Sequence, residues 1–283
     1  MNIIHHKDLT PEQAQKGCFV IDMPESEYHS HDSVSKSMLD LVSRSPAHLA
    51  YAQEREATRN MAIGSAIHCA ILEPQRFERE YMVLHGINDR RKSEYREAVK
   101  ARHADFVLTG NEGDNVLGMQ SAVNLNPTAA MELGKAGYAE LSAFVMCPVT
   151  GVQLRCRYDW IDIETNSCID LKKTQDVRYE AFQKSIANYR YHVQDAFYSY
   201  IYSLITGDNL RFQFLAVEEQ QPHSNKLYQL DTEAKQVGKR QFEADLAEYN
   251  QCNQSGDWHG IAQEDELISL PMWALDDECE VEL

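Results

Sequence analysis

Between Ala139 and Lys172 the chain carries three β-rich segments, Ala139–Cys147, Gln153–Ile163 and Ser167–Lys172. The turn formers Pro-Val-Thr-Gly and Glu-Thr-Asn-Ser separate them. Connections this short permit hairpins rather than crossovers, so the spacing predicts a three-stranded meander. A helical stretch, about Tyr179–Leu204, follows it. Arg211–Glu219 is again strand-like, with Phe212, Phe214, Ala216 and Val217 as its apolar positions, and Lys226–Leu230 can pair with it. A β-β-β-α-β order preceded by helices predicts an α/β fold with a mixed central β-sheet flanked by helices.

The first half is helical in character. Residues 1–30 look like an extended lead-in ending in Glu-Tyr-His-Ser-His-Asp. Ser35 is a good N-cap for a helix carrying Met38, Leu39, Leu41 and Val42. Pro46 starts a turn or helix through Ala47–Glu56, and a second helix, about Met61–Leu72, stops before Pro74. Tyr81–Leu84 suits a short strand, and residues 91–104, 114–123 and 127–134 suit helices. Thr232–Asn250 is a polar amphipathic helix. The expected organisation is one compact domain over 1–283, with its core at about 35–250 and an acidic C-terminal tail over 251–283.

Net charge is −17, which argues against a protein that coats nucleic acid non-specifically. The charge is uneven. Glu264–Leu283 holds many acids and no Lys or Arg, whereas Arg90, Arg91, Lys92, Arg96, Lys100 and Arg102 form a basic stretch. That stretch fits either a solvated basic helix or an entrance for a polyanion. No apolar run of about 18 residues is present, so no membrane span is expected. The N-terminal residues lack an apolar stretch of the kind that directs secretion. Seven cysteines are dispersed without a Cys-x-x-Cys pair, which reads as reduced core thiols in cytoplasm.

The chemistry concentrates on the second hairpin. A tight turn between Gln153–Ile163 and Ser167–Lys172 would bring Asp159 and Asp170 side by side. Adjacent carboxylates bind a divalent ion through hard oxygen atoms. Lys172, two residues on and on the same strand face, can hold or activate a water beside it. This is a plan for metal-assisted phosphodiester hydrolysis. Asp159 shares its face with Arg155 and Arg157 and is equally compatible with an exposed strand. Asp170, flanked by Ile169 and Leu171, reads as interior, where an unpaired carboxylate is costly. Gly64 and His68 share a helix face, the glycine permitting close backbone approach. His68 alone reads as a hydrogen-bonded core histidine, and Glu73 as an acid supporting the site or, more simply, a surface residue. Gln194 and Tyr198 also share a helix face, suited to a phosphate or metal-bound water and to base stacking, or simply to the core. Glu140 is either a third acid or an edge-strand charge.

Gly64-x-x-x-His68, Arg157-x-Asp159, Ile169-Asp170-Leu171-Lys172-Lys173-Thr174 and Tyr189-Arg-Tyr-His-Val-Gln194-Asp-Ala-Phe-Tyr198 together resemble the RecE exonuclease domain. That domain belongs to the RecB-like branch of the PD-(D/E)xK nuclease superfamily. The resemblance spans about residues 35–220. It implies a restriction-endonuclease-like core and a metal-dependent exodeoxyribonuclease acting on ends of linear duplex DNA, in the 5′-to-3′ sense, in recombination or phage-type end processing. His68, Asp159 and Asp170, with the Leu171 carbonyl, would ligate Mg²⁺ or Mn²⁺, and Lys172 would position or deprotonate the attacking water. Gln194 and Tyr198 would contact the DNA end or support the metal, with Arg157, Lys173 and Glu140 as further substrate contacts. A homo-oligomeric ring and a single-strand annealing partner are also implied. Asp170-x-Lys172 in place of Glu-x-Lys fits the RecE and RecB branch. The clustered C-terminal cysteines of an iron–sulfur cluster are lacking; Cys252 and Cys279 stand alone. The alternatives are an endonuclease or flap nuclease of the same superfamily, and a non-catalytic DNA-binding relative.

Overall fold

The computed structural model describes residues 3–53, 58–262 and 265–270. The N-terminal part holds β1 (Ile3–His5), α1 (Pro11–Lys16), β2 (Cys18–Ile21), α2 (Glu25–Ser30), α3 (Lys36–Val42) and α4 (Pro46–Ala50). Next come α5 (Arg59–Leu72), α6 (Pro74–Glu80), β3 (Met82–Leu84), α7 (Ser93–Ala101), β4 (Val107–Thr109), α8 (Gly110–Leu125) and α9 (Pro127–Leu133). The meander is β5 (Tyr138–Met146), β6 (Gln153–Asp162) and β7 (Ser167–Thr174), followed by α10 (Tyr179–Asn188) and α11 (Tyr191–Thr206). β8 (Arg211–Glu218), β9 (Asn225–Tyr228) and α12 (Thr232–Ser255) complete the fold.

The meander forms because each of its turns is locally encoded. Asp162 closes the β6–β7 turn by accepting the N–H groups of Glu164 and Thr165, at 3.0 and 3.3 Å. Asn166 takes the left-handed φ of 52° that the return requires. Strands β5, β6 and β7 pair antiparallel, whereas β7 and β8 pair parallel. A parallel pair needs a crossover, and α10 and α11 supply it. The result is a seven-stranded mixed sheet in the order β1-β2-β5-β6-β7-β8-β9, flanked by helices, as the segment order predicts.

The two faces of the sheet bury different cores. Leu141, Leu154, Cys156, Tyr158 and Phe212 pack with Val193, Phe197 and Ile201 of α11 and Phe242 of α12. On the opposite face Ile169, Leu171 and Leu215 pack with Ala66, Ile67 and Ala70 of α5 and with Val116 and Met119 of α8. Strand β7 contributes to both, Cys168 to the first and Ile169 and Leu171 to the second. All six cysteines among the described residues are free and buried. No helix among the described residues is long and apolar enough to cross a membrane.

Several expectations need correction. Residues 3–30 are not an extended lead-in. β2 pairs antiparallel with β5, Phe19 opposite Ala143, and β1 adds parallel to β2. Cys18-Phe19-Val20 is buried on both faces, so it lacks the alternation that marks a half-exposed strand. Nor is Tyr179–Leu204 one helix. It breaks where Arg190 adopts φ 53°, without a Gly or Pro to signal the break. The Arg190 guanidinium is held by Asp40 of α3 at 3.1 Å and Asp245 of α12 at 2.5 Å, contacts that offset the strain of a left-handed arginine. Gly64, finally, is not a point of close approach, because a Cβ built there meets nothing within 4 Å. The helix expected through Glu56 ends at Ala50, and α12 runs on to Ser255, into the stretch expected as tail; residues 54–57, 263–264 and 271–283 lie outside the described residues.

Candidate active site

The β6–β7 register pairs Trp160 with Ile169, which sets Asp159 opposite Asp170 at the next position. There the ladder gives way. The Leu171 N–H donates to Asp159 Oδ2 at 2.8 Å. The Asp159 carboxylate thus stands where a strand carbonyl would be, and its position is fixed by backbone.

On β5, Ala139 pairs with Trp160 and Leu141 with Tyr158, so Glu140 faces Asp159. Glu140 has φ 50°, a left-handed conformation costing on the order of 1–3 kcal/mol for a non-glycine residue. His68, on α5, brings its Nδ1 to 3.5 Å from Asp159 Oδ2 and 3.9 Å from Glu140 Oε1. One ligand atom from each of His68, Glu140 and Asp159 lies within 4.8 Å of the others. All three side chains remain partly open to solvent.

Asp170 lies on the α11 side and is 1% exposed. Gln194 Nε2 donates to its Oδ1 at 2.6 Å. Lys172 Nζ is 2.6 Å from Oδ2, yet that oxygen has no aligned hydrogen-bond donor. It is paired by charge and keeps a lone pair free. Tyr191, one turn before Gln194, places its ring 4.6 Å from Lys172 Nζ. Its spacing of three from Gln194 on one helix was the available signal for this contact, and sequence reasoning assigned it no role.

Electrostatics follow from this crowding. Burial, with the Asp159 charge, pushes the Glu140 carboxyl up to about 8. Burial and Asp159 also raise Asp170, against the opposing pull of Lys172. For Lys172 burial acts downward, but Asp170 and Asp159 outweigh it and its pKa is raised. The carboxylates therefore repel one another and favour a cation between them. Oxygen donors with a single imidazole suit Mg²⁺ or Mn²⁺, and the free lone pair on Asp170 Oδ2 suits the same role.

The remaining candidates are placed differently. Tyr198 sits in the core against Tyr158 and Phe212, and its carbonyl accepts the Tyr158 hydroxyl at 2.9 Å. Arg157 donates to Ser142 Oγ and the Met23 carbonyl and stacks over Tyr28. Lys173 is exposed, 3.1 Å from Glu219. Glu73 pairs with Arg76 at 2.8 Å, and both charges act on Glu140 in opposite senses. In the basic stretch, Arg90 pairs with Glu112 and Arg91 with Asp89, while Arg102 donates to the Arg79 and Glu80 carbonyls.

A family model described as a PDDEXK-like domain of unknown function matches residues 33–270. The chain belongs to this PDDEXK-like family. The PDDEXK-like chain also shares its fold with a crystal structure from Eubacterium rectale described as a putative exonuclease. The match has a TM-score of 0.58 and 13% identity, covering 92% of this chain and 100% of that one. A second solved structure, of SSO0001, aligns over 75% of this chain and 85% of its own, at a TM-score of 0.29 and 15% identity. No curated protein matches.

The raised Glu140 pKa has a consequence for stability in the PDDEXK-like fold. The unfolded chain releases this proton near 4.5, whereas the folded protein holds it until about 8. Stability from Glu140 is therefore full below 4.5 and is lost as pH rises through that window. The melting temperature of the metal-free protein should fall between these limits by a few degrees more than that of Glu140→Gln. Parallel pH profiles for the two proteins would contradict this electrostatic account.

Proposed function

We propose that this protein is a divalent-metal-dependent nuclease that hydrolyses phosphodiester bonds from the ends of linear duplex DNA, in the 5′-to-3′ sense, in recombination or end processing. The observation that carries the reading is the meeting of His68, Glu140 and Asp159 where β6 and β7 part, with Asp170, held by Gln194 and Lys172, at the register position opposite Asp159. His68, Asp159 and Asp170 would hold Mg²⁺ or Mn²⁺ with the Leu171 carbonyl, and Glu140 is added to that set by its place beside His68. The ion supplies Lewis acidity and lowers the pKa of bound water.

The chain's own residues do the rest. Gln194 orients Asp170 from the α11 side by its 2.6 Å hydrogen bond. Lys172 is protonated in the metal-free protein, because its raised pKa follows from the two carboxylates. In that state it is a fixed positive charge for a phosphate oxygen or the attacking water. Neutralising Asp159 and Asp170 would weaken its hold on the proton and let it serve as a base. Tyr198 supports the helix that carries Gln194 rather than a base of the substrate. Lys173 is the exposed cation nearest Lys172 in sequence and would meet the phosphate backbone. A homo-oligomeric ring and a single-strand annealing partner complete the proposal. A ring would reconcile the net charge of −17 with DNA binding, since only its lumen need be basic.

The test is end-labelled linear duplex and a covalently closed circle, each with and without Mg²⁺. Mg²⁺-dependent loss of the 5′ label from linear DNA, with the circle left intact, is the expected result. Cleavage of the circle would make the protein an endonuclease of the same fold. No cleavage of either substrate would overturn the catalytic reading.

A further inference from the structure

A second group of ligand-type side chains meets at the far end of α12. Glu248 and Cys252 stand four residues apart on one helix face. Gly256 then ends the helix with φ 75°, and its N–H donates to the Cys252 carbonyl at 2.8 Å. The chain turns back and carries His259 over the same face. Cys252 Sγ lies 3.6 Å from Glu248 Oε1, and His259 Nε2 lies 3.4 Å from that same oxygen. One ligand atom from each residue falls within 4.8 Å of the other two. The thiol is 1% exposed, whereas the imidazole is half open to solvent. The returning segment is itself held in place. The Ala47 N–H donates to the His259 carbonyl at 2.9 Å, and the Trp258 ring packs edge-on against Tyr249.

We propose that Glu248, Cys252 and His259 form a zinc-binding site, separate from the proposed nuclease site and independent of that reading. A thiolate, an imidazole and a carboxylate suit Zn²⁺, and it is the soft thiolate that a hard, oxygen-preferring Mg²⁺ does not take. Three protein ligands leave one tetrahedral position, which the exposure of His259 directs to solvent. On binding, the Cys252 S–H bond breaks, a sulfur–zinc bond forms and the proton passes to water. The thiol proton now shared with Glu248 is thereby released, and the carboxylate is freed to ligate. The bound ion would tie the segment after Gly256 to α12 and, through Ala47, to the start of α4.

The test is titration of the metal-free protein with Co²⁺, followed by Zn²⁺ and, separately, excess Mg²⁺. A sulfur-to-cobalt charge-transfer band should appear, persist in Mg²⁺ and be displaced by equimolar Zn²⁺. The nuclease site has only oxygen and nitrogen donors, so it contributes no such band. Cys252→Ser should abolish the band. His259→Gln, at an exposed position that leaves packing untouched, should weaken Co²⁺ binding at least about tenfold. Absence of the band in the unmodified protein would overturn the proposal, as would its survival in Cys252→Ser or unchanged affinity in His259→Gln.

Discussion

Lys172→Ala should reduce Mg²⁺-dependent digestion of linear duplex DNA by at least about a hundredfold, the scale for losing one preorganised electrostatic group. The side chain is the only cation of the β7 end that touches Asp170, at 2.6 Å. Its loss also leaves Asp170 buried with Gln194 as its remaining side-chain partner. Breaking a buried pair in this way costs about 3–5 kcal/mol when the remaining charge is uncompensated. Asp170 has an escape, because its pKa is already raised and it can take up a proton. The variant should therefore fold, with a lower melting temperature that recovers when Mg²⁺ is added. Folded Lys172→Ala protein with undiminished digestion would remove Lys172 from the mechanism.

Gly238→Ala should be among the most destabilising single-methyl changes in the chain, by about 1–3 kcal/mol. A Cβ at Gly238 would lie 2.1 Å from the His192 carbonyl oxygen and 2.6 Å from its carbon. Both atoms belong to the first turn of α11, so no side-chain rotation relieves the clash. The two helices must separate, and Gln194, two residues after His192, moves with them. Digestion should fall along with stability. Gly64→Ala provides the contrast: its Cβ meets open space on a helix, and alanine there is expected to stabilise by about 0.5–1 kcal/mol. Urea unfolding of the two variants should shift the midpoint in opposite directions. A neutral Gly238→Ala would show that α11 and α12 are not packed this closely.

The two glycines illustrate what a sequence conveys and what it withholds. Gly64 is conspicuous because it stands one turn before His68, but position in a motif does not reveal what lies across the gap. Gly238 sits in a polar helix with nothing local to mark it, and only the packing of α11 on α12 exposes its role. The meander was legible because its information is local: turn formers, period-two alternation and β-rich segments agree from residue 139 to 172. Asp159 opposite Asp170 followed from the turn length, and the register of Trp160 with Ile169 realises it. Glu140 beside His68 did not follow, since it needs a left-handed residue inside a strand. The break at Arg190 depends on Asp40 and Asp245, 150 residues before it and 55 after it. Cys252, alone among the cysteines in sequence, has Glu248 one helical turn before it but gains His259 only because the chain reverses at Gly256.

The division of the sheet into two cores bears on how the protein responds to its ion. His68 is carried by the α5 layer, which packs on one face. Gln194, hydrogen-bonded to Asp170, is carried by α11 on the other. An ion held by His68, Asp159 and Asp170 would bridge elements that pack on opposite faces of the sheet. Filling the site would then make two packing units melt as one, so metal should sharpen the unfolding transition as well as raise it.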